Sequence, residues 1–410
     1  MKHRDGHAMD NMHSLSHPTG ASHTAFQAHP GYRRMFAPDR LTLGIFLPLR
    51  FYAGDMRVLA GQADLVGEID RRGFAAVWVR DVPLFDPSFG DAGQVFDPFT
   101  YLAFLAARTK TAALATGSAI FSLRHPIDLA KAAATIDQLS GGRLVLGIAS
   151  GDRPIEFPAY GLAHGERGER FAQAVAYFRQ LMRPGPLAVD SPLGRFERAS
   201  FLPQPAAASV PLIVTGASGQ SLAWIAEHAD GWLTYPDATH TAEGPRRLAD
   251  KIRAWRHRIP DGGFRPHMTN EWLDLTDDPG HPPTPLQGGF VLRTGRKGLI
   301  DLLHAWQAAG VNHAALGIQF ARRPAAELIQ ELAEDVLPHF PSHPGPAAAP
   351  VSWCPRDARP STPIARGKRH ESRDPAKRGR LHDQERRSGR PGSVGGAVPA
   401  IRRLLPRRHG

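Results

Sequence analysis

Eight times between Leu41 and Leu337 the sequence passes through a short apolar stretch and then an amphipathic one. The apolar stretches are Leu41–Leu49, Ala75–Val79, Thr111–Ile120, Leu144–Ala149, Pro211–Thr215, Gly231–Tyr235, Pro266–Leu275 and Asn312–Gln319. Their apolar residues run on rather than alternate, which is the pattern of strands buried on both faces. Helices are predicted over 58–72, 98–108, 126–139, 166–182, 218–228, 242–258, 295–309 and 325–337. Pro98 and Pro126 stand at first helical turns and Gly73 just past an end, where these residue types are favoured. Strands that alternate with helices pair in parallel through crossover connections. Eight such units match a (β/α)8 TIM barrel in number and order; a doubly wound sheet, the alternative, rarely needs so many. The loops after the second, fourth and seventh strands are long, and 276–289 carries no predicted element.

The barrel is assigned to 40–341, between two extensions. Residues 1–39 are rich in His, Gly and Pro without a period and predict a disordered or loosely draped segment. The six histidines before Gly31 are irregularly spaced and no carboxylate cluster accompanies them, so no metal site is expected there. The stretch 342–410 turns to Pro, Ala, Arg and Gly, and such a composition buries too little surface to offset the entropy of ordering it. It also holds the charge. After Pro344 there are 16 Lys and Arg against 5 Asp and Glu, so the whole net charge of +11 resides there and the rest is neutral. No specific nucleic-acid partner is therefore expected of the barrel. The tail reads as solvated chain, with a basic arm or out-of-frame sequence as alternatives. Cys354 is the single cysteine, which excludes a disulfide framework and a cysteine metal site. No apolar run reaches bilayer length, and the first residues lack the apolar centre of a secretory signal, so a cytoplasmic protein without a membrane partner is expected.

In such a barrel chemistry belongs at the C-terminal ends of the strands. The first strand offers Phe46, Leu47 and Pro48; the second, Arg80 and Asp81; the third, Thr116, Gly117 and Ser118, with Arg124 and His125 beyond. The fourth, Leu144–Ala149, stops abruptly in Ser150, Gly151, Asp152, Arg153, Pro154 and Glu156. The seventh offers Asn270, Glu271 and Trp272. After the fifth, Thr215-Gly-Ala-Ser-Gly-Gln-Ser221 leads directly into a helix. Small residues there let the backbone approach a ligand, and first-turn N–H groups favour an anion. Ser218 and Ser221 would add hydroxyl donors, although Ser218 also suits a plain N-cap. The pairs Arg80-Asp81 and Asp152-Arg153 suit recognition by charge-assisted hydrogen bonds, or pairing with each other across the barrel mouth. Metal-ligand spacing, a G-x-S-x-G elbow and a G-x-G-x-x-G turn are all missing. His125 before Pro126 reads as a helix-start residue rather than a base, and Trp78, Trp224, Trp232 and Trp306 fall on predicted core faces.

At these residues the chain resembles the bacterial luciferase-like family of flavin-dependent monooxygenases and oxidoreductases, over about Leu41 to Leu337. The resemblance is carried by Arg124-His-Pro126, Ala130-Lys131, Asp137-Gln-Leu-Ser-Gly-Gly-Arg143, Leu146-Gly-Ile-Ala-Ser-Gly151, Pro211-Leu-Ile-Val-Thr-Gly216 and Ala229-Asp-Gly-Trp232. Trp78-Val-Arg-Asp-Val-Pro83 and Ser150-Gly-Asp-Arg-Pro154 look like marks of a subgroup. The resemblance implies a barrel that binds reduced FMN, with coenzyme F420 as the variant. The flavin phosphate would sit on Ala217, Ser218, Gly219 and Ser221, and the ring over Thr116, Gly117 and Ser118, where many members have a non-proline cis peptide. Ser150, Gly151 and Asp152 would approach from the fourth strand, and Phe46 completes the cofactor set. Arg80 would stabilise the anionic oxygen species and Asp81 orient it; Asp152 and Arg153 complete the candidate catalytic set. The expected activity is a monooxygenase that takes reduced FMN from a separate flavin reductase and oxidises a small organic substrate with O2. An F420-dependent dehydrogenase and a non-catalytic flavin-binding protein are the alternatives. A homodimer is expected from the family habit. Luciferases themselves carry an acidic residue and histidines at the second strand end, where this chain has Arg80-Asp81-Val82, so light emission from an aldehyde is not expected.

Overall fold

The computed structural model describes residues 26, 28–50, 61–86 and 96–344. The expectations for 1–25, for the helix start at Val58 and for 345–410 lie outside the described residues. In chain order the elements are α1 (Pro30–Met35), β1 (Thr42–Phe46), α2 (Gln62–Arg71), β2 (Ala76–Val79), α3 (Pro98–Ala106), β3 (Ala113–Ile120), α4 (Pro126–Ser140) and β4 (Leu144–Ala149). They continue with α5 (Glu156–Ala159), α6 (Arg167–Leu181), β5 (Pro186–Ser191), β6 (Gly194–Ser200), β7 (Leu212–Thr215), α7 (Leu222–His228), β8 (Gly231–Leu233) and α8 (Glu243–Arg256). The last are β9 (His267–Leu275), β10 (Thr284–Leu286), β11 (Val291–Thr294), α9 (Arg296–Ala309), β12 (Val311–Gly317) and α10 (Ala325–Glu331).

Eight strands close on themselves in the order β1-β2-β3-β4-β7-β8-β9-β12 and back to β1, each pair parallel. This is the (β/α)8 barrel that the alternation predicts. β1, β2 and β9 are buried at every residue, which explains why their sequences lack an alternating polar face. The two faces nonetheless serve different layers. Val77, Val79, Leu114, Leu146, Leu212 and Leu316 pack outward into the core shared with the helices. Ala76, Trp78, Ala113, Ala115, Val145, Ile213 and Ala315 fill the barrel interior. The interior alanines make room for the Trp78 indole, whose N–H donates to His313 Nε2 at 3.0 Å. That acceptor role leaves the His313 proton on Nδ1, which donates to Thr42 Oγ1 at 2.7 Å, and the Thr42 hydroxyl donates to the Met35 carbonyl at 2.7 Å.

Three expectations change. The segment before the barrel is not loosely draped throughout: Tyr32, Met35 and Phe36 are buried, and with Phe26 they join the interior cluster beneath Trp78. Four large apolar side chains within eleven residues supply the burial that the His, Gly and Pro composition obscures. The predicted loop 276–289 carries β10, and β11 follows it; β11 extends the sheet from the far half of β9, pairing Leu273 with Leu292. A hairpin, β5–β6, stands outside the barrel between α6 and β7. Its residues are mostly exposed, so no buried-strand pattern marks them. Among the described residues no helix is long and apolar enough to cross a membrane.

Candidate functional site

The C-terminal strand ends surround one cavity of about 630 Å³, within the usual range for a small-molecule site. Of the residues singled out from sequence, Phe46, Arg80, Asp81, Gly117, Ser118, Ser150, Gly151, Asp152, Arg153, Ala217 and Ser218 line it. Thr116, Gly219 and Ser221 do not. Thr116 is buried in the wall between β3 and β4, where its hydroxyl donates to the Gly147 carbonyl at 2.7 Å. The two strands come so close there that a Cβ on Gly147 would lie 2.0 Å from the Thr116 oxygen. Gly219 instead meets Gly168, whose Cα would be 2.8 Å from an added Cβ. Ser221 caps α7, accepting from the Trp224 N–H at 3.1 Å.

The floor is made by β1 and β3. The Gly117–Ser118 peptide is cis, as the resemblance implies, and the β3–β4 register shifts between Thr116 and Ala119. A Cβ on Gly117 would stand 2.4 Å from the Phe46 ring, so only glycine lets that ring lie against the strand. Phe46 also meets Trp272 at 5.4 Å between centroids. The Ser118 and Thr215 hydroxyls are hydrogen-bonded to each other across the floor.

At one end lies the loop after β7. The predicted helix does not start at Ser218. Gly216, Ser218 and Gly219 adopt left-handed backbone, with φ of 58°, 49° and 76°, and the helix starts four residues after Ser218, at Leu222. The Ser218 hydroxyl is committed to its surroundings: it donates to the Thr215 carbonyl at 2.7 Å and accepts from the Ser150 N–H at 3.3 Å. The amides of Ala217, Ser218 and Gly219, by contrast, have no acceptor among the described residues. Successive amides in such backbone form a concave anion site without needing a helix.

The charged pairs do not match across the mouth as the sequence suggested they could. Asp81 accepts from Arg124 through both oxygens, at 2.7 and 3.2 Å, and from the Ile120 N–H at 3.0 Å. Arg153 meets Glu156 instead, at 3.8 Å. Arg124 reaches Asp81 from the loop after β3, which adjacency in sequence could not identify, whereas Glu156 lies only three residues beyond Arg153. Arg80 is half-buried over the Trp272 indole, 5.6 Å from its centroid. Asp152 is exposed at the rim. Burial pushes the Glu156 carboxyl above its usual range, tempered by Arg153 and the facing Leu84 N–H. Burial likewise pushes Glu271, on β9 between Asn270 and Trp272, up to about 8.

The model of the luciferase-like monooxygenase family matches residues 41–266. The chain belongs to the luciferase-like monooxygenase family. Within and around this family its relatives divide by cofactor. An F420-dependent glucose-6-phosphate dehydrogenase of Nakamurella multipartita is 32% identical over 177 residues, covering 42% of this chain and 51% of that one. The oxygenase component of a flavin-dependent trigonelline monooxygenase of Acinetobacter baylyi is 30% identical over 138 residues, covering 33% and 37%. The match spans about three fifths of the length of the first curated relatives, at 61%. In fold, the crystal structure of a monooxygenase from Streptomyces bottropensis superimposes with a TM-score of 0.60 at 20% identity, over 73% of this chain and 99% of that one.

Several lining residues of this luciferase-like barrel escaped the sequence-derived site. Asn270 and Trp272 stood at a recognised strand end but were not selected. Gln287 and Phe290 fall at the close of the loop that carries β10, where no strand signal pointed. Leu233 and Tyr235 complete the wall after β8. The residues present fit a planar cofactor with a phosphate end: amides without acceptors lie at one end, and Phe46, Trp272 and Phe290 supply flat walls beyond.

Proposed function

We propose that the protein is a flavin-dependent oxidoreductase, a monooxygenase that uses reduced FMN and O2 on a small organic substrate. The observation that carries this reading is the pair of amides at Ala217 and Ser218, without acceptors among the described residues, that open onto a cavity with aromatic walls. Those N–H groups would hold the phosphate of FMN, and Ser218 would keep them in place by tying the loop to Ser150. Phe46 behind Gly117 would support the ring from the floor. When bound, reduced FMN would supply two electrons so that one atom of O2 enters the substrate and the other leaves as water. The chain's own share is binding, orientation and exclusion of water. Trp272, Phe290 and Leu233 give the cavity apolar faces, and Arg80 places a positive charge over the Trp272 ring. Asp81, locked by Arg124, fixes the strand end that carries Arg80. A separate flavin reductase and a homodimer belong to the same reading. F420-dependent hydride transfer, the chemistry in the name of the relative from Nakamurella, is the second reading.

Anaerobic titration of reduced FMN and reduced F420 into the full chain separates these readings. Reduced FMN is expected to bind at least tenfold tighter. Ser218→Ala is expected to weaken it about tenfold, since the loop loses its tie to Ser150. Tighter binding of F420, with turnover indifferent to O2, would sink the monooxygenase reading.

A further inference from the structure

Asn270 stands on β9 at the cavity wall with 4% of its surface exposed, and among the described residues its side-chain amide has no hydrogen-bond partner. The strands explain why. Side chains on one face of a strand recur at every second residue, so Met268, Asn270 and Trp272 point the same way along β9. The register sets Asn270 beside Ala315 of β12, and Met268, one step below, beside Leu233 of β8. Neither Ala315 nor Leu233 has a side-chain donor or acceptor. Other polar side chains at the cavity are engaged already: Asp81 by Arg124, Ser118 by Thr215, and Ser218 by the Thr215 carbonyl. A buried carboxamide without partners is an unfavourable state that a ligand of matching edge relieves. In the closed order of strands β9 stands diametrically opposite β3, so Asn270 and Trp272 face the cis Gly117–Ser118 floor from across the barrel. A planar cofactor resting on that floor would turn its other face toward β9, and Asn270 would meet whatever shares the cavity with it. Trp272 and Phe290, with centroids 6.0 Å apart, add flat apolar walls beside the amide. A carboxamide presents an acceptor next to donors and carries no charge. Its complement is an N–H next to a C=O, which makes both hydrogen bonds at once, whereas a ketone or a carboxylate can only accept.

We propose that Asn270 selects the substrate, pairing through two hydrogen bonds with the carboxamide or lactam edge of a planar aromatic molecule whose ring lies against Trp272 and Phe290. This rests on the cavity being the reaction site of a flavin-dependent enzyme. A flavin carries the same kind of edge on its own ring, an N–H between two carbonyls, so the cofactor is the other group that could meet Asn270. The geometry favours the substrate. The amides that would take the phosphate follow β7, and the floor that would take the ring is on β3, so both lie on the side of the barrel away from β9.

Benzamide and acetophenone, nearly isosteric and differing in an NH2 against a CH3, are the probes. Their affinities are measured calorimetrically on the full chain, with and without FMN, for wild type, Asn270→Leu, Asn270→Val and Asn270→Asp. Wild type is expected to bind benzamide about fivefold tighter or more, because only benzamide donates to the Asn270 oxygen. Asn270→Leu keeps the volume and Asn270→Val suits a strand, and both remove every polar atom of the side chain. Either should abolish the preference and leave FMN affinity within about threefold, and retained FMN binding reports a folded site. Asn270→Asp keeps an acceptor and should keep the preference. Equal affinities in wild type, or a preference that survives Asn270→Leu or Asn270→Val, would overturn the proposal. A preference lost as completely in Asn270→Asp would do the same, since packing rather than hydrogen bonding would then be responsible. So would a preference that vanishes once FMN is bound, together with a loss of FMN affinity of about tenfold or more in Asn270→Leu, since Asn270 would then serve the edge of the cofactor. Should FMN fail to bind wild type at all, the flavin reading fails by itself, and the cofactor-free arms still decide the role of Asn270.

Discussion

Single side chains inside the barrel are tuned by burial in opposite senses. His313 is fully buried, with both ring nitrogens engaged by Trp78 and Thr42, and burial pushes its pKa down to about 3. Its neutral form is therefore favoured in the fold. The unfolded chain binds the extra proton below an ordinary value of about 6.5, so this stability is fully present above that pH and is lost as pH falls toward 3. Between pH 6.5 and 5 the loss is on the order of 2 kcal/mol. Glu271 runs the other way: raised to about 8, it contributes stability at low pH that is lost as pH rises from its ordinary value toward 8. Over the same interval the two trends partly cancel. His267, likewise pushed down by burial, also contributes to the total over this interval, so the effect of His313 is read from the difference between wild type and His313→Gln. Urea melts at pH 6.5 and 5 should show the variant losing about 2 kcal/mol less than wild type, and equal losses would contradict the assignment. At this scale the sequence was a good guide to which residues reach the cavity, because strand ends of a parallel barrel all face it. Partners were poorly legible. Arg124 finds Asp81 across 43 positions of sequence, and no local signal encodes that meeting.

One stretch that carries the family resemblance, Asp137 to Arg143, joins elements rather than touching the cavity, whereas Ser150 and Gly151 at the end of another line it. Arg143 is buried, and its guanidinium donates to the carbonyls of Ala106, Thr109, Ala112 and Ser140 and to the Thr109 hydroxyl. It thereby closes the C-terminal carbonyls of α3, which no intrahelical N–H can reach, and ties them to the ends of α4 and β4. Asp70 organises the same corner from the other side, accepting from the N–H groups of Lys110, Thr111 and Ala112. Arg143→Met preserves much of the volume and removes every donor. It should cost about 3–5 kcal/mol in chemical unfolding, from buried carbonyls left without partners. A cost below 1 kcal/mol would mean that water takes over the role. Strand and helix types were readable in this region because apolar runs and prolines mark them sharply. The start of α7 was not, because Ser218 and Ser221 both suit a cap and left-handed backbone at Gly216, Ser218 and Gly219 decides between them. The hairpin β5–β6 was not readable either, since exposed strands carry no burial pattern.

Across the whole molecule, charge and core are distributed to different places. The hydrophobic clusters among the described residues run from Phe26 to Phe340. Phe26, Tyr32, Met35 and Phe36 belong to them, so the residues just before β1 are part of the barrel's stability even though their composition resembles a linker. The net charge of +11 lies wholly after Pro344, and the chain up to that point carries equal numbers of both signs. Folding and ligand binding should thus be separable from polyelectrolyte behaviour. A chain ended at Pro344 should keep its thermal midpoint within about 2 °C, since every core residue among the described residues is kept, and its affinity for reduced FMN within about twofold. Retention on heparin at low salt should fall sharply in the same chain, because a neutral surface lacks the long-range attraction of clustered arginines and lysines. A truncated chain that still binds heparin tightly would place a basic face on the barrel itself. One that loses FMN would mean that the basic segment reaches the cavity, and the phosphate site would then have to be rebuilt around its arginines.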